Sequence, residues 1–289
     1  MNAVVSTQVP GVYHRRIGDI VVTALSDGFY DTPMAAYRGI SEEEAAKRFR
    51  ARFQQVPPRV AINAFLIQSA GRTAVVDTGA GDTMGPTLGV LMQTLTSAGV
   101  AADDVDTVLL THLHPDHSNG LIDAEGKTVF EKAELVVSEH DMRFRHDDGA
   151  RAPFDAAYQL KYFDRPRQQV APYRNRIRDA HGEVFPGVTA VPLPGHTPGH
   201  TGYIVSSQGE SLLIWGDICH APELQLPNPD VTVIFDVTPE QAIETRRKTL
   251  DWVATDRLLI AGMHMPFPGF HHIVRGREGY ESLPEYWQY

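Results

Sequence analysis

Residues 111–120, THLHPDHSNG, crowd three histidines and an aspartate into six positions: His112, His114, Asp116 and His117. They follow the apolar run VDTVLL, and packing a core gives no reason for so many imidazoles there. Neutral imidazole and carboxylate together are ligands for divalent cations. Side chains two apart at a strand end leave on one face, so His112 and His114 serve one cation. Pro115 breaks the strand, and Asp116 and His117 turn back from the following loop or helix start towards a second. Zinc takes about four ligands, so both sites need more.

Three further residues can supply them. His196 follows the run VTAVPL (188–193) inside PGHTPGH (194–200), where small residues let backbone approach an ion. Asp217 ends SLLIWGD (211–217), preceded by Gly216, and His264 follows RLLIAGM (257–263). Each stands at the carboxyl end of an apolar run, where open sheets place their sites. One carboxylate shared between two cations, with Asp217 as the candidate, would hold them about 3.5–4 Å apart, as in two-metal hydrolases.

The elements that must position these groups are short β-branched runs bounded by turn residues. Besides the three runs above and VDTVLLTH (105–112), strands are expected over 19–25, 62–69, 73–79, 133–139 and 201–207. Two hairpins repeat one design, with Ala70–Gly71 and Gln208–Gly209 as their turns, and each ends in an Asp beside a Gly. Helices are expected over 41–55, opened by a Ser41–Glu44 capping box, over 85–100, and over 238–255, capped by Thr238 with Pro239 next. Phe49 and Phe53 should point inward from the first. The order is α/β without strict alternation and reads as two facing mixed sheets with outer helices. Residues 141–180 are polar, rich in Arg, Asp and Pro, and too long for a plain connection. They read as a partly helical insertion or lid.

The chain has 289 residues and a formal charge of −10. An acidic chain without a basic run is a poor ligand for nucleic acid or an anionic membrane surface. The single cysteine, Cys219, excludes an internal disulfide and a thiolate zinc cluster. Neither a signal peptide nor an apolar run of about 20 residues is evident, so a cytoplasmic protein is expected.

The pattern H-x-H-x-D-H at 112–117, followed in order by His196, Asp217 and His264, resembles the metallo-β-lactamase superfamily, whose first motif matches Asp77 in VDTG. The likeness runs from about 60 to 265, within one domain spanning 1–289. It implies an αββα sandwich with the site at one edge of the two sheets. It also implies that His112, His114 and His196 hold one metal, that Asp116, His117 and His264 hold the other, and that Asp217 bridges them. THLHPDHSNGL, PGHTPGHTGYIV, LLIWGDI and MHMPFPG look most like the methyl parathion hydrolase branch, related to quorum-quenching lactonases. The cofactors would be two divalent ions, zinc first, with Mn, Fe or Co as alternatives. The substrate would be a small ester, lactone or phosphotriester, and a homodimer is compatible with the resemblance.

Water shared between two cations loses a proton near neutral pH and becomes the nucleophile. Asp116 and Asp217 are the expected catalytic carboxylates, Asp116 steering the nucleophile or carrying a proton to the leaving group. Asp77 is expected to accept a hydrogen bond from a ligand imidazole and fix its tautomer. His200 should support the site rather than bind metal, His220 and Phe270 should line the pocket, and Cys219 should stay clear of the metals. The remaining histidines (His14, His140, His146, His181, His271 and His272) are expected at the surface or in the core. Three alternatives are weaker. A glyoxalase II-like thioester hydrolase would carry a basic helical domain after His264. A diiron redox protein would carry a carboxylate where His114 stands. A non-catalytic scaffold would have lost ligands.

Overall fold

The computed structural model describes residues 8–287. Two seven-stranded sheets face each other. The first runs, edge to edge, through Val12–Ile17, Ile20–Asp31, Arg59–Ser69, Arg72–Val76, Thr107–Leu109, Glu134–Val137 and Ile177–Asp179. The second runs through Tyr280–Pro284, Phe270–Arg275, Leu259–Ala261, Glu210–Ile214, Thr201–Ser207, Val188–Pro192 and Glu183–Phe185. All nine expected strands are present.

Central strands are apolar on both faces because both faces are covered. Phe65 and Ile67 point into the core between the sheets, whereas Ala64 and Leu66 point out under the helix Leu91–Ser97. Leu212 and Ile214 point in, whereas Leu213 and Trp215 meet Leu250 and Val253 of the helix Pro239–Thr255. That period-two division makes four layers, helices outside and sheets inside.

Both hairpin turns fall where expected. Ala70 and Gly71 lie at φ 51° and 73°, and Gln208 and Gly209 at 52° and 80°, the left-handed pair that matches strand twist in a two-residue turn. Each hairpin then hands on to a parallel neighbour: Val76 pairs with Leu109, and Ile214 with Ala261.

The helices differ from expectation. The first is Glu42–Ala51, with the Ser41 hydroxyl accepting the Glu44 N–H at 3.2 Å. It stops early because Phe53 takes φ 60°, and that side chain is 99% exposed while Phe49 is buried. The expected helix over 85–100 forms only over Leu91–Ser97, since Gly85 and Gly89 sit at φ 106° and 83°. Thr238 holds the N-cap position of Pro239–Thr255 without a side-chain capping bond. The segment 141–180 is a series of short helical pieces as far as Tyr173, including a π-helical turn at Leu160–Asp164, that arches over one end of the sandwich before the edge strand Ile177–Asp179.

Candidate metal centre

The site lies just beyond the strands. Thr107–Leu109, Glu210–Ile214 and Leu259–Ala261 each end three residues before a candidate ligand: His112, Asp217 and His264. The histidines are thus on loops, slightly past the strand ends where the sequence put them. Pro115 occupies the first turn of the helix Pro115–Ser118, which returns Asp116 and His117 to the same spot. His196 lies four residues after Pro192.

All seven candidate ligands converge. The Oδ2 atom of Asp217 lies 3.6 Å from Nε2 of His112, 3.3 Å from that of His117, and 3.2 Å from those of His196 and His264. Asp116 Oδ2 lies 3.4 Å from Nε2 of His117 and 3.6 Å from that of His264. Nδ1 of His114 faces Nε2 of His196 at 2.9 Å. Ligand atoms group as His112, His114, His196 and Asp217 on one side, and Asp116, His117 and His264 on the other, with a third, overlapping group of Asp217, His220 and His264.

The outer faces of the rings fix their tautomers. Nδ1–H of His117 donates to Asp77 at 2.7 Å, that of His196 to Asp236 at 2.8 Å, and that of His264 to the Ala61 carbonyl at 3.0 Å. Thr111 gives its hydroxyl proton to Asp77, so its oxygen accepts from Nδ1 of His112 at 3.0 Å. In the neutral ring each inward Nε2 is therefore the lone pair. Nε2 of His112 and His117 and Oδ1 of Asp217 are buried with no hydrogen-bond partner. Leaving such atoms bare costs several kcal/mol in all, at roughly 1–3 kcal/mol each, and divalent cations held by the two ligand groups would take them up. The donor set, imidazole nitrogens and carboxylate oxygens without thiolate, fits two such ions.

Without a cation the cluster's charges are mixed: burial lowers His117 and His264, but Asp217 and Asp116 outweigh it and raise both. Burial alone would raise the Asp217 carboxyl, but His117, His264, His112 and His220 around it hold it well below the usual range. Burial pushes the neutral form of His112, with further help from His117. For His196 burial is outweighed by Asp217 and Asp236, one on each ring nitrogen, which lift it to about 9.

Supporting groups complete the site. Asp77 sits at φ 61°, a strained position for a non-glycine residue, and accepts from Thr111 N–H at 2.7 Å as well as from His117. It both closes the turn and orients a ring. His200 has no free nitrogen: Nδ1–H donates to the Leu193 carbonyl and Nε2 accepts the Asp217 backbone N–H, both at 2.8 Å. His220 lines the cavity, with Nε2 3.1 Å from Asp217 Oδ2. Phe270 does not line it. It is buried between the sheets against Tyr13 and Phe65, because its strand turns that face inward. Cys219 packs in the second sheet's outer core, and burial pushes its thiol up to about 12.

Sequence reading missed three buried carboxylates. Asp236 holds His196. Asp141 accepts Leu113 N–H at 3.0 Å and Gly199 N–H at 2.7 Å, joining the two histidine loops. Asp27 accepts Ala80 and Leu91 N–H at 2.8 Å each, fixing the loop after Asp77. None belongs to the histidine-rich motifs, and although Asp141 follows His140 and Asp236 follows an apolar run, neither neighbourhood points to the cluster. The cavity above the cluster is walled by Tyr30, Ile62, Met84, Tyr162, Val233 and Phe235, with Lys161 among its lining.

The family model for the metallo-beta-lactamase superfamily matches residues 57–275. The chain belongs to the metallo-beta-lactamase superfamily. A crystal structure of the hydrolase AbOPH, in the beta lactamase superfamily, superposes with TM-score 0.91 at 31% identity, covering 98% of this chain and 100% of that one. AidC, a dizinc quorum-quenching lactonase solved with a product, shares the fold at TM-score 0.90 and 23% identity, over 97% and 99% of the two chains. An N-acyl homoserine lactonase of Bacillus thuringiensis is 25% identical over 199 residues, 68% of this chain and 67% of the relative. Among the described residues no helix is long and apolar enough to cross a membrane.

Proposed function

We propose that this superfamily member is a hydrolase of ester-like bonds that works with two divalent cations, and that lactones are its first substrate class to test. The observation that carries this is the convergence of four lone-pair imidazole nitrogens on one buried carboxylate oxygen, Asp217 Oδ2, at 3.2–3.6 Å. His112, His114 and His196 would hold one ion, Asp116, His117 and His264 the other, and Asp217 would bridge. The pair, when bound, supplies Lewis acidity and lowers the pKa of water.

The chain's own groups do the rest. Asp116, largely buried at the cavity floor, is placed to take a proton and pass it to a leaving oxygen. The aromatic and aliphatic walls exclude bulk water and accept an apolar arm of the substrate. Lactone is favoured over phosphotriester because the curated relatives are N-acyl homoserine lactonases. The likeness to methyl parathion hydrolase in THLHPDHSNGL and MHMPFPG keeps phosphotriesters second. We read residues 1–289 as one catalytic unit and zinc as the resident metal. The test is turnover of a lactone, a phenyl ester and a phosphotriester by protein of measured metal content. Two zinc equivalents with no turnover of any of them would overturn the proposal.

A further inference from the structure

We propose that Lys161 determines specificity by pairing with a carboxylate carried by the substrate beside its scissile bond, so that the preferred ester or lactone is acidic. This rests on the hydrolase reading above. Of the residues lining the cavity, Lys161 alone is a lysine or arginine. The walls around it are largely tyrosine, valine, isoleucine, methionine and phenylalanine, and the floor carries the centre's own histidines and carboxylates.

Its ammonium has no carboxylate partner among the described residues; the group it approaches is the Tyr162 ring, 5.0 Å from Nζ to centroid. Three arginines of the same segment are committed. Arg151 grips Asp164 through two bonds of 2.9 Å, Arg167 pairs with Asp148 at 2.8 Å, and Arg145 donates to the Tyr162 carbonyl at 2.9 Å. Lys161 is exposed at the cavity, so its ammonium is available for a charge-assisted hydrogen bond to an anion entering there.

The root of that side chain is fixed. It lies in the π-helical turn Leu160–Asp164, a distortion that recurs at functional sites. The turn is pinned by the Arg145 and Arg151 bonds and by Tyr162 and Phe163, both buried. The Tyr162 ring packs on Tyr158 at 4.4 Å and edge-on against His114 at 5.5 Å. Lys161 is thus held one aromatic ring from a candidate metal ligand; burial lowers the pKa of its ammonium, and the Asp116 carboxylate offsets part of that. A substrate with its reacting carbonyl at the centre and a carboxylate a few bonds away spans that interval.

The test compares zinc-loaded wild type, Lys161→Met and Lys161→Arg on two esters of similar length, 4-nitrophenyl butyrate and the 4-nitrophenyl monoester of succinate. The ratio of kcat/KM for the acidic over the neutral ester should fall about tenfold in Lys161→Met, chiefly through KM, and be largely kept in Lys161→Arg. An equal change on both esters, or none, overturns the assignment. If wild type cleaves neither ester, the lactone and phosphotriester assays still decide the hydrolase reading, and calorimetric titration with glutarate decides Lys161 independently. Binding about tenfold weaker in Lys161→Met supports the role, and equal binding refutes it.

Discussion

Asp236 accepts the Nδ1–H of His196 at 2.8 Å, and Asp77 accepts that of His117 at 2.7 Å, so each half of the centre has one imidazole locked by a buried carboxylate. Asp236 is itself steadied by the Val233 N–H at 3.1 Å and by Arg246 at 3.8 Å. Losing either carboxylate frees a ring to rotate and to choose the wrong tautomer. Asp236→Ala and Asp77→Ala should each weaken zinc binding roughly 10–100-fold, measured by competition with a chromogenic chelator. Unchanged affinity in both would show that the rings are held by packing alone.

Asp217→Asn should do more than either. Its Oδ2 is common to both ligand groups, and an amide cannot bridge two cations with charge. Zinc content should drop below two equivalents by elemental analysis, and turnover should fall by more than the roughly 10–100-fold expected for an outer partner. His264→Ala should spare one equivalent, because His112, His114 and His196 lie on the other side.

Gly216 connects the strand to Asp217 at φ 60°, and a β-carbon there would stand 2.3 Å from Nε2 of His200. Gly216→Ala should therefore cost about 1–3 kcal/mol in chemical denaturation. It should also disturb zinc binding, since His200 holds the Asp217 N–H. A stable variant with normal zinc affinity would mean the loop relaxes freely.

Asp27 gives a pH signature. Burial raises its carboxyl to about 6 despite the backbone N–H groups of Ala80 and Leu91. The folded chain then binds a proton that the unfolded chain, with its lower carboxyl pKa, has already released. Stability from this group is fully present below about pH 4 and is lost as pH rises through about 6. Asp27→Asn should flatten that slope in urea titrations at pH 4 to 7. A slope identical to wild type would place the carboxyl in the ordinary range.

Cys219→Ser should leave zinc stoichiometry unchanged, because Cys219 packs in the apolar cluster that holds Trp215 and Leu250 and is outside the ligand groups. The hydroxyl in an apolar site should cost about 1–3 kcal/mol. Loss of a zinc equivalent in a folded variant would contradict this placement.

The ligands were legible because imidazoles at strand ends have no competing use, and the strands because both faces of each sheet are covered. The supports were not. Asp27, Asp141 and Asp236 look like ordinary loop acids until the fold brings backbone N–H groups and a histidine to them. Phe53 and Phe270 were misplaced for a shared reason. Hydrophobicity says that a side chain seeks cover, but the left-handed turn after Ala51 exposes one and the facing of Phe270–Arg275 sinks the other. The expected helix over 85–100 lost its first turn to two glycines that the apolar spacing had masked.

Ile214 and Ala261 are paired neighbours, and Asp217 and His264 each follow three residues later. The sheet therefore works as a ruler. One residue inserted into either strand would slide its ligand by about 3.3 Å and turn the following side chains to the opposite face. Insertions beyond His264, or within the arch over the cavity, leave the ruler untouched. Diversification on such a scaffold is channelled into the rim, where selectivity can drift while the positions of the reactive groups are inherited unchanged.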